Sequence, residues 1–224
     1  MTRQVSGAAL AVFLLAAAPA LAQDRQTLGF GRLFSNDVLG DGEDRWRTGS
    51  YAFSVVRGER WTGGLPTRPG AIVEFRFRAD IISPADLTIP TAPERLYAGT
   101  LSAGAHTYFS WRGFDVTAGA DIAVIGEQTG LRALQSSFHD TFGFPPVEIG
   151  GYQVDDQVRG HATLEIGRQI DVGAAMVRPF MELQAGVETL ARAGVDLSIG
   201  APDALMLRDV GTGHRYIGVA GTDA

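Results

Sequence analysis

The chain has 224 residues, a formal net charge of −6, 19 basic side chains that are all arginine, and no cysteine. A mildly acidic chain lacks the electrostatic attraction on which general nucleic-acid binding rests. Zero cysteine excludes disulfides, thiolate catalysis and thiolate metal sites.

Residues 1–22 read as a signal peptide: Arg3 precedes an apolar run from Leu10 to Ala18, and Ala20-Leu21-Ala22 is an A-x-A cleavage site that sets the mature start at Gln23. The run is too short for a spanning helix, which needs about 20 apolar residues, and Pro19 ends it. No later segment is apolar enough to form such a helix. The exported chain is therefore either a soluble β-protein or a closed barrel, the other structure that satisfies its backbone in lipid.

Period-2 alternation dominates the chain beyond the leader. The first candidate strands cover 27–36 and 48–57. In Val73-Glu74-Phe75-Arg76-Phe77-Arg78-Ala79-Asp80-Ile81 the apolar side chains share one face, and Glu74, Arg76, Arg78 and Asp80 share the other. A strand over 98–111 comes after a loop over 83–93 rich in Pro and Asp. The alternation returns at 114–122, 162–167, 181–187 and 195–199. Strands of about 9–11 residues with one charged row suit a transmembrane barrel, whereas strands of a soluble sandwich are nearer 5–6 residues.

One segment departs from this period. Leu131, Leu134, Phe138 and Phe142 fall at helical spacing, so 129–142 is predicted as a helix packed on the barrel rim or wall. Thr129 is its expected N-cap, Gly143 its stop, and Pro145-Pro146 forbid continuation. Residues 200–213 read as a long connection. With no internal repeat or linker, residues 23–224 form one expected domain.

His139 on that helix is the leading chemical candidate, with Gln135 one turn before it. A neutral imidazole, with an ordinary pKa of about 6.5, can take a proton from water. On its own it also reads as a solvated histidine on a polar helix face. His106 and His161 fall among strand residues, and His214 in a loop. Asn36 and Asp37 are adjacent, so both can serve one site only where the strand ends or bulges; alone they read as an Asx turn. Asp41-Gly42-Glu43-Asp44 lacks the full calcium-loop pattern and is taken as a polar loop. There is no G-x-S-x-G elbow, so a serine hydrolase is unsupported.

Three blocks carry a family resemblance. The first is Arg32-Leu33-Phe34-Ser35-Asn36-Asp37 with Asp44-Arg45-Trp46-Arg47-Thr48-Gly49-Ser50-Tyr51. The second is Arg95-Leu96-Tyr97-Ala98-Gly99. The third is Gln128-Thr129-Gly130-Leu131-Arg132-Ala133-Leu134-Gln135-Ser136-Ser137-Phe138-His139. Together, over most of 29–216, they resemble the lipid A 3'-O-deacylase (LpxR) family of outer-membrane β-barrel hydrolases. The resemblance implies an antiparallel transmembrane β-barrel, twelve-stranded in the family. This chain offers about eight or nine candidate strands and so reads as C-terminally truncated relative to it, or as an unusually small member.

The resemblance also implies hydrolysis of an ester-linked acyl chain of lipid A or lipopolysaccharide in the Gram-negative outer membrane. His139 would activate the water, Asp37 would orient it, and Asn36, Thr48 and Arg95 would position the substrate or a cation. That cation, usually Ca²⁺ in the family, would take oxygen ligands from Asn36, Asp37 and Glu148. Two departures stand out: Leu96 replaces the family's proline, and Glu94 stands where a basic residue or Asp is usual. A non-catalytic barrel, acting as channel or structural protein, is the other reading of the same barrel. A soluble periplasmic β-protein is the third.

Overall fold

The structure, a computed structural model, describes residues 25–37, 46–88, 95–200 and 203–220. The expected leader and the Asp41-Gly42-Glu43-Asp44 loop lie outside the described residues. The wall consists of β1 (Gln26–Asn36), β2 (Trp46–Gly58), β3 (Ile72–Ser83), β4 (Ala98–Trp111), β5 (Phe114–Ile125), β6 (Gln157–Gly167), β7 (Ile170–Val172), β8 (Ala175–Ala185) and β9 (Leu190–Ile199). Pairing is antiparallel throughout and joins neighbours in sequence, except that β8 pairs with β6, β7 and β9. The result is a curled antiparallel sheet resembling half a barrel. Helix α1 (Leu131–Phe142) is inserted between β5 and β6. No helix among the described residues is long and apolar enough to cross a membrane.

The alternation read from the sequence becomes an inverted distribution of polarity. On β3 the row Glu74, Arg76, Arg78 and Asp80 is buried, while Phe75 and Phe77 are exposed. On β8 Glu182 and Gln184 are buried, whereas Met181 and Leu183 are 66% and 51% exposed. On β9 Val195, Leu197 and Ile199 are exposed. A soluble monomer rarely presents so continuous an apolar surface. An outer-membrane wall does, because its outer face meets acyl chains and its inner face meets water or other polar groups.

The inner face is filled by a hairpin that the sequence reading did not anticipate. Within the expected connection 200–213, β10 (Leu205–Arg208) forms and pairs with β11 (Arg215–Val219). Both strands are short, and Gly211 and Gly213 in the turn hide their shared alternation. Leu207 and Tyr216 are buried against Ala52, Val56 and Ile72 of the wall. Gly31 of β1 permits this approach, since a Cβ there would stand 2.7 Å from the Tyr216 ring.

Charge pairing completes the attachment. Glu165 of β6 receives Arg208 at 2.5 Å, Arg215 at 2.7 Å and Arg178 at 2.8 Å. Asp196 of β9 receives Arg215 at 2.7 Å and Arg208 at 3.2 Å. Asp209, in the hairpin turn, takes Arg78 at 2.7 Å. Glu74 is bound by Arg76 at 2.6 Å and by the hydroxyls of Ser54 and Tyr108. Small wall residues make room for these long side chains: a Cβ at Gly119 would strike His106, and one at Gly167 would strike Arg178.

Removing one member of such a buried set leaves the others as uncompensated charges, which costs about 3–5 kcal/mol. Glu165→Ala is therefore expected to lower the midpoint of denaturant unfolding in detergent sharply. Met181→Ala, on the outer face, should leave it near wild type. Equal midpoints for the two variants would show that the inner network contributes little.

Candidate active site

The helix that carries His139 is set on the wall by glycine. After β5 the chain turns back, and Gly126 N–H donates to Gly99 O at 3.0 Å. A 3-10 turn, Glu127–Thr129, leads to Gly130 in the left-handed region and then to α1. A Cβ at Gly99 would lie 2.6 Å from Thr129 Oγ1 and 3.1 Å from Leu131 Cβ, so only glycine lets the helix start lie against β4. The expected cap is displaced by one residue: Gly130 is the N-cap, while the Thr129 hydroxyl donates to Gly126 O at 2.8 Å and accepts from Leu131 N–H at 3.4 Å. The expected stop is present. Gly143 has φ 72° and its N–H closes on His139 O, a left-handed helix ending that glycine adopts without penalty.

The orientation of α1 corrects the sequence reading. Leu131, Gln135 and His139, four residues apart, form the buried face. Leu134, Phe138 and Phe142 are 63%, 47% and 63% exposed, so the apolar stripe does not pack on the wall. His139, expected on a solvated polar face, is instead buried at 3% exposure. The reason is chemical. Polar partners for the Gln135–His139 stripe wait beneath the helix, whereas Phe138 meets Phe142 at a tilt and stacks on Phe144, with centroids 4.6 and 6.0 Å away.

Those partners fix the imidazole. Nδ1 of His139 donates to Pro145 O at 2.6 Å. Gln135 Nε2 stands 3.5 Å from His139 Nε2. Gln135 Oε1 in turn accepts a 2.9 Å hydrogen bond from the Tyr97 hydroxyl. Tyr97 is 2% exposed and packs with Leu87, Val147 and Ile149. Its backbone is clamped by Tyr97 N to Tyr152 O at 3.1 Å and Val154 N to Tyr97 O at 2.8 Å.

Across from the helix, β1 ends at Asn36, as the adjacent Asn36 and Asp37 require if both are to serve one site. The β2–β3 register shifts between Arg47 and Gly49, so Thr48 sits at an irregularity in the ladder. Bulges of this kind re-aim side chains beside active sites. Thr48 is buried, and its hydroxyl donates to Asp37 Oδ1 at 2.9 Å. The hydroxyl proton is therefore directed at the carboxylate.

Asn36, Thr48, Gln135 and His139 all line one groove of about 310 Å³ between helix and wall. Its other walls are apolar: Phe34, Tyr51 and Ile81 from the sheet, and Leu134, Phe138 and Phe144 from the helix side. Phe34 and Tyr51 belong to the outer face of the wall, so the groove opens on its apolar side. Arg95 and Glu148 are exposed and are not among the residues lining the groove. Glu148 joins the wall through its backbone, N–H to Leu87 O at 2.8 Å. His106 and His161 face inward and are buried, His106 beside Asp121 at 3.1 Å, and His214 is exposed in the hairpin turn.

For a hard divalent cation, Asn36 and Asp37 offer the right donor type. Among the described residues no three His, Asp or Glu side chains are grouped so as to hold a metal ion, and these two would supply part of the roughly 6–8 oxygen ligands Ca²⁺ takes. The sequence reading did not single out Tyr97, the Pro145 carbonyl or the apolar groove. The four-residue spacing of Gln135 and His139 was visible, but their partners come from β4's approach and from beyond the helix.

The family model described as "Outer membrane protein LpxR" matches residues 8–202. Among solved structures, LpxR from Salmonella typhimurium matches with a TM-score of 0.59 and 18% identity, over 70% of this chain and 58% of that one. That likeness speaks for the fold, and the chain spans less than two thirds of the matched structure. No curated protein matches the chain.

Gly99→Val is expected to lift α1 from the wall. Limited proteolysis should then cut within residues 131–142 while the protein keeps its strand signal in circular dichroism. Unchanged resistance of the helix would mean that Gly99 does not govern its docking.

Proposed function

Because the chain belongs to the LpxR family of outer-membrane proteins, we propose that it is a lipid A deacylase, hydrolysing an ester-linked acyl chain with a water activated by His139. The observation that carries this reading is the groove: an imidazole anchored through Nδ1 on the Pro145 carbonyl borders an apolar cleft that opens on the apolar outer side of the wall. An amphiphile with acyl chains in the leaflet can enter such a cleft sideways. Its ester then reaches the polar end at Asn36, Thr48 and His139 without leaving the membrane. A channel is less well supported, since the β10–β11 hairpin fills the inner face and ties it with ion pairs.

In this reading His139 Nε2 takes a proton from water as the water oxygen adds to the ester carbonyl. The Pro145 carbonyl steadies the imidazolium that forms. When the tetrahedral intermediate collapses, the same proton passes to the departing sugar oxygen, and a free fatty acid leaves along the groove. Asp37, held by Thr48, orients the water. Asn36 and Asp37 would hold a Ca²⁺-like cation, which when bound supplies positive charge to the developing oxyanion. Arg95 is the protein's own cationic candidate for that task.

The test is mass spectrometry of lipid A incubated with purified protein in mixed micelles. Wild type is expected to remove one ester-linked acyl chain. His139→Gln keeps the side chain's bulk in its buried place and should lower turnover by roughly 10²–10⁴-fold. Intact lipid A after prolonged incubation with wild-type protein would overturn the proposal in favour of a non-catalytic barrel. A chelator should abolish activity and Ca²⁺ should restore it; full activity in chelator would assign oxyanion stabilisation to Arg95.

A further inference from the structure

We propose that Gly49 and Ala79 are specificity-determining residues of the groove: they leave a diagonal track on the outer wall along which the substrate's acyl chain lies next to its ester. The proposal rests on the deacylase reading and adds to it how the chain is selected. Ladder register sets the track. Gly49 of β2 faces Ile81 of β3, and one outward row further on Tyr51 faces Ala79. The two small residues therefore occupy one diagonal and the two large ones the other. Diagonal neighbours in a sheet stand roughly 7–8 Å apart, so Gly49 and Ala79 open a slot between Tyr51 and Ile81. All four residues line the groove.

The fold itself does not call for glycine at position 49. Its φ is not positive, so no left-handed turn requires one. At Gly31, Gly58 and Gly99 a Cβ would stand 2.7, 2.9 and 2.6 Å from Tyr216, Leu28 and Thr129, so each of those glycines admits a neighbour. At Gly49 the nearest atom among the described residues is Asn36 Nδ2 at 3.7 Å, an ordinary contact. Gly160 is equally open, but it stands on β6 and does not line the groove. A glycine inside a strand weakens it and often marks a close approach by a ligand. Here the approach comes from the groove, whose polar end at Asn36, Thr48 and His139 adjoins Gly49. The chain runs from that end over Gly49 to Ala79 and then out to the apolar wall. A long chain gains contact at Ala79, and a chain of a few carbons ends before it.

The experiment reconstitutes wild type, Gly49→Val, Ala79→Phe and the control Val195→Leu in bilayers containing tetradecanoic acid with a mid-chain diazirine. After irradiation, adducts on Leu134, Phe138 and Phe144 are compared with adducts on β9, whose exposed Val195 and Leu197 report general contact with lipid. Wild type and Val195→Leu should label the groove well above β9. Gly49→Val and Ala79→Phe should each lower that excess about tenfold. Gly49→Ala and Ala79→Leu replace them if a bulkier variant loses its strand signal in circular dichroism. On matched butanoyl and tetradecanoyl esters, Ala79→Phe should cut the long-to-short ratio of kcat/KM about tenfold, and Gly49→Val should lower kcat/KM for both. Groove adducts no higher than β9 adducts in wild type, or undiminished in the variants, would overturn the proposal. If wild type leaves lipid A intact while the variants lose the groove adducts, the deacylase reading fails and the acyl track stands.

Discussion

The arginine–carboxylate network on the inner face is the interaction on which the rest of the structure depends. Glu165, Glu182 and Asp196 on the wall face Arg208 and Arg215 from the hairpin and Arg178 and Arg192 from the wall itself. Charges so deeply placed are tolerable only when each is answered. The network in turn lets the opposite face of every strand be apolar. In lipid the apolar face needs no protein partner, so the usual driving force of a hydrophobic core is moved to the outside, and specificity moves to the inside. Arginine suits this arrangement better than lysine, because its planar fork can hold two or three carboxylates at once, and the chain carries arginine alone.

With the inner face closed by its own charges, chemistry has to be built elsewhere, and the candidate site lies on the outer side, at the rim. Its construction reverses the usual amphipathic helix. The polar stripe of α1 turns inward to Tyr97 and Pro145, and the apolar stripe turns out beside Phe34 and Tyr51. Thus a buried, oriented imidazole and a greasy approach route come from one short helix. Gly99 permits the close docking that makes this possible, and the irregularity at Thr48 brings a hydroxyl to Asp37 from the facing strand.

Much of the fold was legible in the sequence because strand alternation is local. Glu74, Arg76, Arg78 and Asp80 declared one face, and Phe75 and Phe77 the other. The bounds of α1 were also readable, since Gly143 and Pro145-Pro146 act on the backbone directly. What escaped was set by distant partners. Apolar residues at helical spacing normally seek the protein, and the rule failed for Leu134, Phe138 and Phe142 because the polar partners of Gln135 and His139 lie beneath the helix and turn that stripe outward. His139 looked solvated because nothing in its neighbourhood announced Pro145 O as an acceptor. Leu205 to Arg208 looked like a connection because its pairing with 215–219 is short and its apolar and ionic partners lie on distant strands. Arg95 and Glu148, carried over from the family pattern, stand outside the groove's lining.

The central claim is that the groove beside His139 opens to lipid and not to water. The chain has no cysteine, so a single nitroxide label at Phe138→Cys can report directly, with Phe77→Cys on the outer wall as the lipid reference. In reconstituted bilayers the account expects the Phe138 label to be relaxed by dissolved oxygen far more than by a water-soluble nickel chelate, as at Phe77. A Phe138 label relaxed chiefly by the nickel chelate, with Phe77 still in lipid, would contradict a lateral route from the membrane into the site.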